Sequence, residues 1–398
     1  MSATAARRSI EEATQPRARR ALLIDPWLTV AGLGLVACSL ITLSGATKDD
    51  IPGDPEYYLT RQGVFAAVGL ALAVLLTRFD YTRLRDLRYG IYGFLIVSNL
   101  VVYAFAGATR GSQRWIDLPF FQYQPSEVGK VLLVVSLAAF VVDRARRLGD
   151  ARTTFRIVLL GLLPTLLVVG QPDLGTGMVY SAITLAMLFV AGTPWRHLAA
   201  LAGLGVIAVS IVLVIAPAVG VEVLKPYQVQ RLTGFVNPSN DPRNQTYQIN
   251  QSLIAIGSGE KTGRGVAGAT QTSLNFLPEH HTDFIFAVVG EQYGFVGAAV
   301  VLSLYAMLIW RALRILTLAK NLYGTLIAGG ILAMLCFQVF VNVGMTIGIM
   351  PITGVPLPLM SYGGSSVLVT FICLGLLQSI HVQGRIATRG KGRALHLQ

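Results

Sequence analysis

The sequence predicts an all-α polytopic membrane protein with about ten transmembrane helices and a large extracytoplasmic loop between spans 7 and 8. Three observations predict it. Apolar runs of near-bilayer length recur along the 398 residues. Hydrophobic content is 53% with only 13% charged residues, which suits a chain dissolved in lipid. No polar block of about 100 residues is left over for a separate soluble domain. The runs fall at 27–44, 62–78, 89–106, 125–142, 157–170, 177–191, 198–217, 284–309, 323–345 and 365–381. They divide the chain into a basic tail, 1–25, a single membrane domain, 26–382, whose long outer loop is 218–283, and a second basic tail, 383–398.

The net charge of +12 suggests nucleic acid only until the basic residues are located. With the amino terminus inside, 22 of the Lys and Arg residues fall in cytoplasmic segments, and the short outer loops hold only Lys48, Arg61, Arg110 and Arg114. That asymmetry places both termini in the cytoplasm and makes anionic lipid the partner of the charge. The first 25 residues are Arg-rich without an apolar core, which reads as a cytoplasmic tail and not a signal peptide. Cys38, Cys336 and Cys373 all lie in predicted spans at spacings that fit neither a disulfide framework nor a metal site.

Span 1 opens after Asp25-Pro26-Trp27, with Pro at a helix start and Trp at an interface. It and spans 2 and 3 read as scaffold, and Gly45 to Leu59, with Pro52, Gly53 and Pro55, as an irregular outer connection. The segment from Gly111 to Pro119 leads through Gln122 and Gln124 into Pro125-Ser-Glu-Val-Gly-Lys130. On a helix opened by Pro125, Glu127 and Lys130 share a face and neutralise each other, as a structural ion pair or with Lys130 free to meet a substrate anion and Glu127 orienting it. Arg114 and Trp115 offer a phosphate fork and a stacking surface, or an interfacial anchor.

Residues 157–191 form one apolar stretch broken by Gln171-Pro-Asp-Leu-Gly-Thr-Gly177. Irregular backbone at membrane depth must face protein or a watery cavity, so Asp173 is either a turn cap or part of a site. In the long outer loop, Tyr247 to Ile256 carries Ile249, Leu253, Ile254 and Ile256 at roughly helical spacing and predicts a short amphipathic helix on the membrane surface. Lys225, Arg231, Arg243, Lys261 and Arg264 make this loop basic where basic residues are otherwise scarce, which points to an anionic ligand. Gly257 to Gly265 superficially resembles a phosphate loop, but Glu260 stands where that motif needs Gly, which excludes a nucleotide site.

Pro278-Glu-His-His-Thr-Asp283 turns into an apolar run within one residue. His280 and His281 are adjacent and would diverge on regular backbone, so no metal is assigned to them. Asp283 has two readings, and Thr282 shares the first: an N-cap of the following helix, or, for Asp283, an acid-base group at the membrane edge. Gly348 to Ser366 is apolar yet carries three prolines before Ser361, so it predicts an irregular cavity wall supplying shape and Ser hydroxyls.

Together, Gly111-Ser-Gln-Arg-Trp-Ile116, Gln124 to Lys130, Gln171 to Thr176, Arg231 to Pro242, Leu277 to Ala287 and Pro351 to Ser366 resemble the SEDS family of bacterial cell-wall synthesis. The resemblance runs from residue 27 to 382. Its Ile352-Thr-Gly-Val-Pro-Leu-Pro358 and Gln113-Arg-Trp-Ile-Asp117 segments look more like the elongation branch than the division branch. Departures are Glu260, Ala269 and Gln292.

The resemblance implies a ten-helix peptidoglycan glycosyltransferase of the inner membrane that polymerises lipid II onto a nascent glycan strand. Asp283 would be its essential carboxylate, and a class B penicillin-binding protein its transpeptidase partner. Arg114, Trp115, Glu127, Lys130, Asp173, Arg231, His281 and Thr282 would bind substrate. Glycosyl transfer from a lipid diphosphate needs a base for the acceptor 4-hydroxyl and cations for the leaving group, roles that suit Asp283 and Lys130, Arg114 and Arg231. Glu127 and Asp173 would position these cations or hold a divalent metal, Mg or Mn, through oxygen ligands. A lipid II flippase is the rival, since interrupted helices also fit alternating access.

Overall fold

The computed structural model describes residues 23–48, 50–105, 115–117, 122–215, 245–274 and 276–395. A helix stands at each expected span: α1 Pro26–Ala46, α2 Tyr57–Arg78, α3 Arg88–Phe105, α4 Pro125–Arg144, α5 Ala151–Gly170, α6 Leu174–Val190 and α7 Trp195–Ser210 precede the long loop. Within that loop lies α8, Gln245–Ser258, and after it come α9 Ile285–Leu318, α10 Leu322–Thr346 and α11 Gly364–Leu395. Among the described residues, seven of these (α1, α2, α4, α5, α9, α10 and α11) are long and apolar enough to cross a membrane, and α6 and α7 are shorter apolar helices. The all-α expectation needs one amendment. Ile116–Asp117 (β1) and Gln122–Tyr123 (β2) pair antiparallel, with Ile116 opposite Tyr123.

The helices α4 and α11 are the most enclosed, and α2 turns most of its surface outward, as a peripheral lipid-facing helix should. Pro125 opens α4 where its missing N–H costs nothing. At the end of the bundle away from Asp283, Asp25 caps α1 by accepting from Leu28 N at 3.1 Å. Its carboxylate also takes the Arg311 guanidinium of α9, with Nε 2.8 Å from Oδ2, and Gln378 of α11 exchanges two bonds with the Asp25 backbone. This tie explains why α9 continues past the expected end at residue 309. The expected tail at 383–398 likewise begins as a helical extension of α11, to Leu395.

The glycine-rich stretch rejected as a phosphate loop has a packing role. Gly294 breaks α9 with φ 63° and ψ −159°, a conformation that only glycine tolerates well. Three backbone bonds then lace 257–264 onto the break: Arg264 N to Glu291 O, Phe295 N to Glu260 O and Val296 N to Lys261 O. A Cβ on Gly294 would lie 2.4 Å from Gly263 N. We expect Gly294→Ala to destabilise the protein by about 1–3 kcal/mol, the usual cost of forced backbone strain. Thermal unfolding in detergent measures the loss, and faster amide exchange at Arg264, Phe295 and Val296 locates it.

The expected surface helix forms as α8, but it is docked on protein. Ile249 and Ala255 are buried with Leu277, Phe284, Ala287 and Met345, and Ser252 donates to Thr346 O at 2.7 Å. Only Leu253 and Ile254 keep the outward apolar face that the spacing predicted.

Candidate functional site

Residues 277–284 form a chain of turns before α9. The N-cap position of α9 is Phe284, whose side chain makes no cap bond. Thr282 does not cap it. Its hydroxyl donates to Glu279, to the carbonyl at 3.2 Å and to Oε2 at 3.1 Å, which spends on the turn itself the group that sequence assigned to substrate. Asp283 is half-buried beside it.

Three successive carbonyls of this turn are held from other parts of the chain. Tyr362 N donates to His281 O at 2.9 Å, Ser361 Oγ to Thr282 O at 2.6 Å and Asn342 Nδ2 to Asp283 O at 2.9 Å. Ser361 Oγ also accepts from Leu357 N, and Asn342 Nδ2 also donates to Val355 O, so each clamp is itself fixed. Backbone oxygens bonded in this way cannot drift without leaving polar groups unpaired, and the turn carrying Asp283 is preorganised.

The clamping segment reaches the second group of expected residues. Ser365 Oγ donates to Gln122 O and accepts from Gln124 N, both at 3.1 Å, seating the β1–β2 hairpin and the start of α4 against α11. Gln124 Nε2 and Ser126 Oγ donate to Asp173 Oδ2 at 3.3 and 3.2 Å. Asp173 Oδ1 accepts from Thr176 N at 3.2 Å, so Asp173 both caps α6 and joins the cluster. One turn into α4, Lys130 Nζ lies 2.6 Å from Glu127 Oε1, with side-chain exposures of 1% and 3%. The expected pair therefore exists, sealed from solvent. The polar break at 171–177 packs on the outer segment: a Cβ on Gly175 would meet Thr353 O at 2.4 Å.

Segments containing Asp283, Glu127, Lys130 and Asp173 thus converge around the stretch 347–363, which is irregular and largely buried. Trp115 is half-buried at the entry to β1. Arg114 and Arg231 lie outside the described residues. Burial raises the pKa of the Tyr362 phenol, partly offset by Arg61, so this neighbour of the turn stays a neutral donor.

Two expectations about metals change. Among the described residues, no third carboxylate or imidazole joins Glu127 and Asp173 in a metal-sized group. Glu127 faces Lys130, and three protein donors occupy Asp173. These carboxylates do not fit a divalent metal. His280 and His281, expected to diverge, instead both face Asp50 of the α1–α2 connection. The reason is local: the backbone is a turn with Glu279 at φ 55°, not a regular element.

Sequence reasoning passed over Asn342, Asp50 and Glu291. Glu291 is fully buried and accepts from Gln271 N at 2.8 Å, Thr272 N at 3.1 Å and Thr272 Oγ1 at 2.6 Å, anchoring the loop before the turn to α9. A carboxylate inside an apolar run was the available signal for Glu291, as Asn inside a span was for Asn342.

Residues 20–386 match the FtsW/RodA/SpoVE family of cell cycle proteins. The peptidoglycan glycosyltransferase MrdB of Escherichia coli K12 is 37% identical over 368 residues, 92% of this chain and 95% of that protein. The probable peptidoglycan glycosyltransferase FtsW of Thioalkalivibrio sulfidiphilus is 38% identical over 392 residues, 96% of this chain and 95% of that protein. A chain from a peptidoglycan synthase complex, described as coordinating polymerization and crosslinking, superposes with a TM-score of 0.77 at 32% identity, covering 91% of this chain and 98% of its own. The crystal structure of the rod shape determining protein RodA of Thermus thermophilus gives a TM-score of 0.66 at 29% identity, covering 90% and 96%.

Proposed function

As this chain belongs to the FtsW/RodA/SpoVE family and is a multi-pass membrane peptidoglycan glycosyltransferase, we propose that it polymerises lipid II with Asp283 as general base. The Asp283 carboxylate takes the proton of the acceptor 4-hydroxyl. That oxygen attacks the donor anomeric carbon, and the bond from this carbon to the diphosphate breaks, releasing undecaprenyl diphosphate. The supporting observation is the triple carbonyl clamp on residues 281–283, which fixes the backbone of a half-buried carboxylate at the mouth of the bundle. Holding the reacting group in place before substrate arrives is how an active site lowers a barrier.

In this reading Lys130, Arg114 and Arg231 stabilise the diphosphate. Lys130 does so by exchanging Glu127 for a phosphate oxygen as substrate enters from the outer end of α4, while Asp173 holds that end in place. Trp115 and His281 line the entry, and Thr282 supports the turn. A class B penicillin-binding protein is the proposed transpeptidase partner. The structural match to a peptidoglycan synthase complex supports it. Assignment to cell-wall elongation rests on the Ile352 to Pro358 motif, because MrdB at 37% and FtsW at 38% are equally similar overall. The flippase reading is not favoured. Purified protein supplied with lipid II in detergent, where no second compartment exists, tests the proposal: glycan polymer supports it and unchanged lipid II refutes it.

The topology we propose has ten spans, both termini cytoplasmic, and 218–283 outside the inner membrane. With the native cysteines replaced, Ser239→Cys should react with a membrane-impermeant thiol reagent added to the outer face. Labelling solely from the cytoplasmic face would invert the topology and remove the site from the lipid-linked sugar.

A further inference from the structure

Asp50 and the histidine pair are separated by about 230 residues, yet they meet at the rim of the site. His280 Nε2 lies 3.2 Å from Asp50 Oδ2, and His281 Nδ1 lies 3.8 Å from the same oxygen. One ligand-capable atom from each of the three residues falls within 4.8 Å of the others. His280 is 4% exposed, so little water is present to separate like dipoles.

The other ring nitrogen of His280 decides what the first can do. His280 Nδ1 sits 3.1 Å from Leu277 O, and a carbonyl can only accept, so Nδ1 bears the proton. A neutral imidazole with its proton on Nδ1 presents a lone pair at Nε2, here 3.2 Å from a carboxylate oxygen that offers only lone pairs of its own. Nε2 is buried and makes no hydrogen bond among the described residues. Two acceptors this close need a cation between them. A proton can serve one imidazole and one carboxylate, whereas a metal ion serves both imidazoles and the carboxylate together. A ring N–H bonded to a backbone carbonyl is also the usual orienting contact of a metal-binding histidine.

We propose that Asp50, His280 and His281 form a site for a divalent transition-metal ion of the zinc type. Two imidazoles and one carboxylate suit such an ion and leave a fourth position for water. Ligand bonds of about 2.0–2.2 Å in a tetrahedron separate donor atoms by about 3.4 Å. Both distances to Asp50 Oδ2 are within a few tenths of that value. The ion clasps the α1–α2 connection to the turn that carries Thr282 and Asp283. Tyr58 shields it, with its ring 4.6 Å from that of His281. The site stands on its own geometry and holds whether or not Asp283 is the base.

The test uses tag-free, full-length protein in detergent, stripped with a chelator and titrated with Zn2+ against a chromophoric competitor. One Zn2+ per chain should bind, and added Zn2+ should raise the melting temperature by mass action. Co2+ should bind in its place and develop visible bands of a low-coordinate site. Asp50→Asn, which keeps the size of the side chain, and His280→Ala should each weaken Zn2+ binding by at least about 10- to 100-fold, the loss seen when even an outer partner of a metal ligand is removed. Melting curves without metal show whether each variant is folded. If wild-type protein takes up no equivalent of Zn2+ or Co2+, the proposal fails regardless of the variants. If the equivalent persists undiminished in folded Asp50→Asn and His280→Ala, the metal lies elsewhere and the proposal fails as well.

Discussion

Purified Asp283→Asn should fold, bind lipid II and make almost no glycan polymer, with polymerisation reduced by roughly 100- to 10,000-fold, the range for loss of one general base. The substitution keeps side-chain size and leaves the main-chain clamp intact, because Tyr362, Ser361 and Asn342 hold carbonyl oxygens that Asn also has. Thermal unfolding in detergent checks that the variant is folded. The measurement is polymer length and yield from lipid II, with lipid II binding assayed separately and the transpeptidase partner added if activity needs it. Near-normal polymerisation by the folded variant would remove Asp283 from the chemistry.

How much of this was legible depended on the range of the interaction. The helix positions were readable because each span is a local run of apolar residues closed by Pro, Gly or charge, as at Pro125 and in the break from Gln171 to Gly177. Glu127 and Lys130 were readable for the same reason: their contact depends only on helical spacing. Asp50 was not, because no periodicity links a loop after the first helix to a turn before the ninth. Nor were the clamps at Ser361 and Asn342, which are bonds from side chains to distant backbone and leave no pattern in composition. The glycines of 257–265 were seen but could not be explained, since the backbone they approach, at Gly290 and Gly294, lies on a different element. Helix ends were misjudged where an ion pair, Asp25 with Arg311, extends order beyond the apolar run.

The pair of Glu127 and Lys130 carries the second large effect, on stability. Neither charge is exposed, and their 2.6 Å contact is charge-assisted on both sides. Removing one partner leaves the other buried and uncompensated, a loss of about 3–5 kcal/mol. Glu127→Gln leaves an ammonium with only a neutral amide beside it. Lys130→Met leaves the buried carboxylate of Glu127 on the residue next to Ser126, which is bonded to Asp173, and like charges in one cluster repel. Combining Glu127→Gln with Lys130→Met removes both charges at similar volume, so most of the stability should return, and unfolding in detergent should show a coupling energy of several kcal/mol between the sites. Polymerisation then separates the two roles of Lys130. If the lysine exchanges Glu127 for the leaving diphosphate, the double variant is folded and inactive, because Met offers no positive charge to the developing anion. Full recovery of polymer along with stability would make the pair a fastening of α4 and nothing more.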